Sequence, residues 1–163
     1  AAAAGRPWLA ELARLERARL EMVDGPDTET LTLEALRARP PADFAALRLR
    51  LVPSHTLFAT RFDVAPLWRS DDPGGAVPEP SPSGLLVWRH EMEVLHRAVD
   101  GEEADWLRRL TSDEVAFETL CSGLAVGRSD QAAAARAFEL CGRWAADGLL
   151  CAGDLSAEAG QRR

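Results

Sequence analysis

The chain has 163 residues, 47% apolar and 28% charged, with a formal net charge of -7. These proportions describe an ordinary globular protein, and no apolar run approaches the roughly 18 residues that a membrane helix needs. The acidic balance argues against general affinity for nucleic acid, which depends on neutralising phosphates. All 19 cations are arginine, since lysine is absent, and guanidinium forks favour planar carboxylate and peptide partners. The three cysteines, Cys121, Cys141 and Cys151, form no CxxC pair. That spacing disfavours a disulfide framework or a zinc site and suits the cytoplasm. Residues 1–4 carry no basic region ahead of an apolar core, so a signal peptide is not expected.

Pro7 opens the first predicted helix. Trp8, Leu9, Leu12, Leu15, Leu20 and Val23 form its apolar set, and Glu11, Arg14, Arg17, Arg19 and Glu21 its polar face. Gly25-Pro26-Asp27 ends it. Thr32 is placed to cap a short helix reaching Ala38, and 43–46 adds one more turn. Leu47-Arg48-Leu49-Arg50-Leu51 alternates strictly, which predicts a strand with leucines on one face and arginines on the other. A second strand is expected over 56–62, and a turn or helical piece at 65–68. Residues 70–83 hold Pro, Gly and Ser in linker proportions.

Residues 85–90 and 94–99 read as a β-hairpin turning near Glu91-Met92-Glu93. Three helices are expected next. The first is capped by Asp100. The second is capped by Ser112 or Asp113 and carries Val115, Phe117, Leu120, Cys121 and Leu124. The third runs from Ser129-Asp130 to about Ala146, with Ala133, Ala137, Leu140, Cys141 and Trp144 inward. Gly148 stops it, and Gly148-Leu149-Leu150-Cys151 returns as a short strand. The expected organisation is an α+β chain. A helix-and-strand half over 1–69 and a linker or loop over 70–83 precede a winged-helix-like unit over 84–153 and a tail over 154–163.

No catalytic constellation stands out. His55, His90 and His96 lack an evident third ligand for a metal, Ser54 and Ser112 lack a nucleophile elbow, and Glu102-Glu103 suits a helix N-terminus. The chain is therefore expected to carry no cofactor and to bind rather than catalyse. A winged helix binds nucleic acid through its third helix or a peptide along its sheet edge. The third helix exposes Gln131, Arg136, Glu139, Arg143 and Asp147, a poor phosphate surface. A DNA-binding regulator is thus the weaker alternative. A peptide would add to the 94–99 strand, with Leu95, Arg97, Val99, Arg136, Leu140 and Arg143 forming its groove.

Several segments resemble a known family. Pro7-Trp8-Leu9-Ala10-Glu11-Leu12-Ala13-Arg14-Leu15-Glu16, Asp24-Gly25-Pro26-Asp27 with Leu31-Thr32, and Leu47-Arg48-Leu49-Arg50-Leu51-Val52-Pro53-Ser54 are similar to segments of the HvfC/BufC family. So are Val64-Ala65-Pro66-Leu67-Trp68-Arg69, Val87-Trp88-Arg89 and Trp144-Ala145-Ala146-Asp147-Gly148-Leu149-Leu150. Val52 stands where the family has histidine. Only residues 1–6 precede the Pro-Trp-Leu motif, before which the family often carries a helical domain. A shorter MbnC-like form, or a chain whose N-terminal part is missing, is therefore expected. The resemblance implies a non-catalytic subunit that works with TIM-barrel multinuclear iron enzymes of the MbnB and TglH type. It presents the leader of a ribosomally made precursor peptide for cysteine oxidation. Arg48, Arg50, Arg61 and Trp68 would face that enzyme. The iron would belong to the partner, no nucleic acid or membrane would be involved, and 84–153 would resemble the small PqqD-like peptide-recognition fold.

Overall fold

The computed structural model describes residues 5–72, 75, 77–80 and 84–152. The expected 154–163 tail lies outside them. The chain is α+β, with helices and antiparallel sheets. It forms two compact units, each built from two separated stretches: Ala1–Asp27 with Pro53–Arg108, and Thr28–Val52 with Arg109–Arg163. This division differs from the expected halves. Both ends of the 70–83 segment belong to the first unit, and the 84–153 segment is shared between the two units.

In the first unit, α1 (Trp8–Val23) lies against a three-stranded sheet of β2 (His55–Ala59), β3 (Gly84–His90) and β4 (Glu93–Val99), in the order β2-β3-β4. The expected hairpin is present, with continuous register from Gly84↔Val99 to His90↔Glu93. Its turn holds Glu91 at φ 52°, a left-handed conformation that a two-residue hairpin turn demands. β2 stops at Ala59, short of the expected Phe62. A 3-10 turn, Pro66–Arg69, follows it. Between β2 and that turn, Phe62 bridges Pro80, so the linker-like segment is a long connection between adjacent strands. The core joins Trp8, Leu12, Leu15 and Ala18 of α1 to Phe58, Val64, Leu67, Leu85 and Val87. Alternation along β3 sends Leu85 and Val87 to the α1 side.

The apolar stripe of α1 is narrower than expected, and Leu20 and Val23 are exposed. At roughly 100° per residue, Leu20 stands about 120° round the helix from Trp8, while Arg19 is about 20° away and Glu11 about 60°. Two charged residues therefore sit on the packed side, and both have internal partners. The Glu11 carboxylate accepts from the backbone N–H groups of Arg61 and Phe62 at 3.0 and 3.1 Å, tying α1 to the turn after β2.

The second unit contains α2 (Leu33–Arg37), β1 (Arg48–Leu49), β5 (Val115–Ala116), α4 (Phe117–Leu124) and α5 (Asp130–Ala146). Thr32 caps α2 and Ser129 caps α5, as their side chains predict. Leu47, Leu49 and Leu51 are buried and Arg48 and Arg50 exposed, which is the period-two pattern expected of that segment. Its ladder is short: β1 pairs with β5, and Leu51 bridges Leu150. Val115 lies in a strand rather than a helix. Neither Ser112 nor Asp113 caps α4, whose N-cap is Ala116. Pairing with β1 keeps this segment extended, and the Phe117 N–H donates to Leu47 O at 2.9 Å.

Gly148 ends α5 at φ 65°. Leu149 N–H reaches Trp144 O at 2.8 Å and Gly148 N–H reaches Ala145 O at 3.1 Å, the two bonds of a Schellman motif. The return segment is present but does not pair with the hairpin. Leu150 and Cys151 lie between Leu51 and Thr30, with Cys151 N–H on Arg50 O and Leu31 N–H on Leu150 O. α3 (Gly101–Ser112) contains the boundary between the two units.

Candidate functional site

β4 lies at the margin of its sheet. Among the described residues no strand pairs with its outer side. Its seven residues contain no proline, and the ladder to β3 contains no bulge. Natural edges are commonly blunted by such devices, so a straight margin of this length is competent to accept another backbone. One face of β4 carries Val94, His96 and Ala98, and the other Leu95, Arg97 and Val99, because side chains alternate.

On the first face, residues distant in sequence meet at His96. A guanidinium nitrogen of Arg19, on α1, lies 2.8 Å from His96 Nδ1. Arginine only donates, so Nδ1 accepts; Nε2 then carries the ring proton and donates to Ala65 O at 3.2 Å. The imidazole is thereby held neutral in one tautomer. Burial pushes its pKa below the ordinary imidazole value, the bond to Ala65 opposes this, and the charges of Arg19 and Arg69 lower it further. The Arg19 guanidinium stacks over the Trp68 ring, 4.7 Å from its centroid, and Trp68 meets His96 edge-on at 6.2 Å. Burial and then the Arg69 charge lower the Arg19 pKa as well. Among the described residues neither Arg19 nor Arg69 forms an ion pair with a carboxylate. A neutral histidine, an indole and a guanidinium with no carboxylate partner among the described residues therefore meet beside this face of the margin, and Arg69 follows Trp68 in the chain.

The second face is internally committed. Arg97 grips Glu103, at the start of α3, through two bonds of 2.6 and 3.0 Å. The Glu103 side chain is only 1% exposed. Asp100 Oδ1 accepts from Glu103 N–H at 2.7 Å, the cap expected of that residue.

The six expected groove residues are divided between the units. Leu95, Arg97 and Val99 lie in the first, and Arg136, Leu140 and Arg143 in the second. Leu95 is half-buried, whereas Val99 and Leu140 are core residues. Arg136 and Arg143 both pair with Glu139, at 2.9 and 3.1 Å. The expected partner surface is divided likewise. Exposed Arg48, beside Glu114 at 3.7 Å, and Arg50 lie in the second unit. Arg61 lies against Glu11 and Phe62 in the first, where Trp68 is covered by Arg19.

Sequence reasoning missed Arg19, Arg69 and His96 as a cluster. One signal was available: by helical period Arg19 falls on the packed stripe of α1, where a cation needs a specific neighbour. Among the described residues there is no group of three or more His, Cys, Asp or Glu side chains able to hold a metal. No helix among them is long and apolar enough to cross a membrane. No protein-family model matches the chain, and no match is found among curated proteins.

Proposed function

We propose that this chain is a non-catalytic partner subunit that takes an extended peptide onto β4 as an added strand. In this reading the peptide is the leader of a ribosomally made precursor. The chain presents it to a TIM-barrel iron enzyme of the MbnB and TglH type for cysteine oxidation, as the resemblance to the HvfC/BufC family implies. The iron belongs to that enzyme. The observation that carries the proposal is the outer side of β4, a strand paired without a bulge to β3 and without a strand partner on its other side among the described residues. A seven-residue strand spans about 23 Å at roughly 3.3 Å per residue, enough for several backbone hydrogen bonds to a visitor.

The winged-helix or PqqD-like comparison rests on element order: a hairpin, three helices and a return segment. The likeness stops at pairing, because the return segment joins Thr30 and Leu51. A DNA-binding role has less support. Arg136 and Arg143 of α5 are engaged by Glu139, and phosphate contacts need unneutralised cations.

Co-expression with a TIM-barrel enzyme of that type, followed by size-exclusion chromatography and titration with its precursor peptide, tests the proposal. Co-elution is expected, together with peptide binding that methylation of alternate backbone amides abolishes. A chain that elutes alone and ignores the peptide would refute it. Tight, salt-sensitive binding to one DNA duplex would establish the regulator instead.

A further inference from the structure

We propose that the Arg19–Trp68–Arg69–His96 cluster is a carboxylate-receiving subsite beside β4, which selects an acidic side chain in the incoming strand. This inference rests on the strand-addition reading and names the chemistry that the added strand must bring. The geometry supplies the argument. His96 projects from β4 on the face toward α1, where its Nδ1 is already used by Arg19. The residue of an added strand directly opposite His96 projects to the same face, with its Cβ about 4.5–5.5 Å from that of His96. A glutamate there is long enough to approach the Arg19 guanidinium, which lies 2.8 Å from His96 Nδ1.

Three features suit a planar anion. The Arg19 guanidinium lies over the Trp68 ring, 4.7 Å from its centroid, and bonds His96 Nδ1, so little side-chain freedom remains to be lost on binding. Arg69 follows Trp68 in the chain, is exposed, and brings a second positive charge that acts on Arg19, and no carboxylate of the described residues pairs with either arginine. Two like charges gathered without an anion are mutually unfavourable, and a carboxylate removes that penalty. The chain as a whole carries -7, so non-specific attraction for an acidic peptide has the wrong sign. The opposite face of β4 offers no equivalent site, because Arg97 is already gripped by Glu103.

The test uses the full chain and two acetylated, amidated twelve-residue peptides that alternate Thr and Val. In one, Glu replaces a central Thr; in the other, Gln does. Calorimetric titration at low salt should show the Glu peptide binding about tenfold tighter, as one charge-assisted hydrogen-bonded contact provides. The preference should shrink as salt is added. Arg69→Gln should abolish it, and because Arg69 is exposed that variant keeps its fold. Arg19→Gln should do the same, with circular dichroism checking its fold. Equal affinity of the wild-type chain for both peptides, or a preference unchanged in Arg69→Gln and Arg19→Gln, overturns the subsite and leaves strand addition standing. Failure of both peptides to bind overturns the subsite and strand addition together.

Discussion

Replacing Arg97 with methionine isolates the contact that anchors β4 to the start of α3. Methionine keeps much of the aliphatic stem and removes the charge. The two guanidinium bonds to Glu103, at 2.6 and 3.0 Å, are then lost by a carboxylate that is 1% exposed in the native chain. Removing one member of a buried pair costs roughly 3–5 kcal/mol, because the remaining charge stays desolvated and loses the bonds that offset this. The Arg97 side chain is itself 23% exposed, which weakens the pair through solvent screening. The lower end, about 3 kcal/mol, is therefore expected. In a protein of this size each kcal/mol lowers Tm by about 2–4 °C, so the fall should be about 6–12 °C. Thermal melts and urea titrations followed by circular dichroism and tryptophan fluorescence measure it. The double variant Arg97→Met with Glu103→Leu should recover more than half of the loss, since the buried charge is then removed along with its partner. A single variant within about 1 kcal/mol of wild type, or a double variant no better than the single, would refute the argument that a desolvated carboxylate dominates the energetics there.

Glu11→Ala should destabilise the chain by about 2 kcal/mol in urea titration, because the Arg61 and Phe62 N–H groups lose their acceptor; a neutral result would mean that water replaces the carboxylate without cost. Burial pushes the Cys141 thiol up to about 12 and also raises that of the more accessible Cys121. Iodoacetamide at pH 8 should therefore modify Cys121 slowly and leave Cys141 untouched until urea is added, as peptide mass mapping will record. His96 is held neutral in the fold and titrates below its unfolded value of about 6.5. The unfolded chain thus takes up a proton first, and stability should fall as pH drops below about 6.5 through the folded value. Urea midpoints across pH 5–8 should show this slope in the wild type and a shallower one in His96→Gln; equal slopes would remove His96 as the titrating group.

Much of the local structure was legible in the residues. Thr32 and Ser129 cap helices because their hydroxyls accept from backbone N–H groups three residues on, a property of the side chain that needs no tertiary partner. Gly148 stops α5 for a similarly local reason: its φ of 65° suits a residue without Cβ. The alternation of Leu47, Leu49 and Leu51 told which face is buried, but not that the ladder would be only two residues long against β5. That length depends on where a strand far along the chain, at Val115–Ala116, gives way to a helix.

Periodicity along the chain determined the α+β class, the hairpin, the inner stripe of α5 and the outward arginines of the 47–51 segment. Side-chain direction follows from backbone geometry, so each of these is written locally. Tertiary structure alone decided that two interleaved pairs of segments make the compact units, and that Leu150 and Cys151 join Thr30 and Leu51. It also brought Arg19, Trp68 and His96 together across the chain. Such meetings depend on which surfaces bury one another and which buried polar groups then find partners. That selection is made among all segments at once, and no single stretch encodes it.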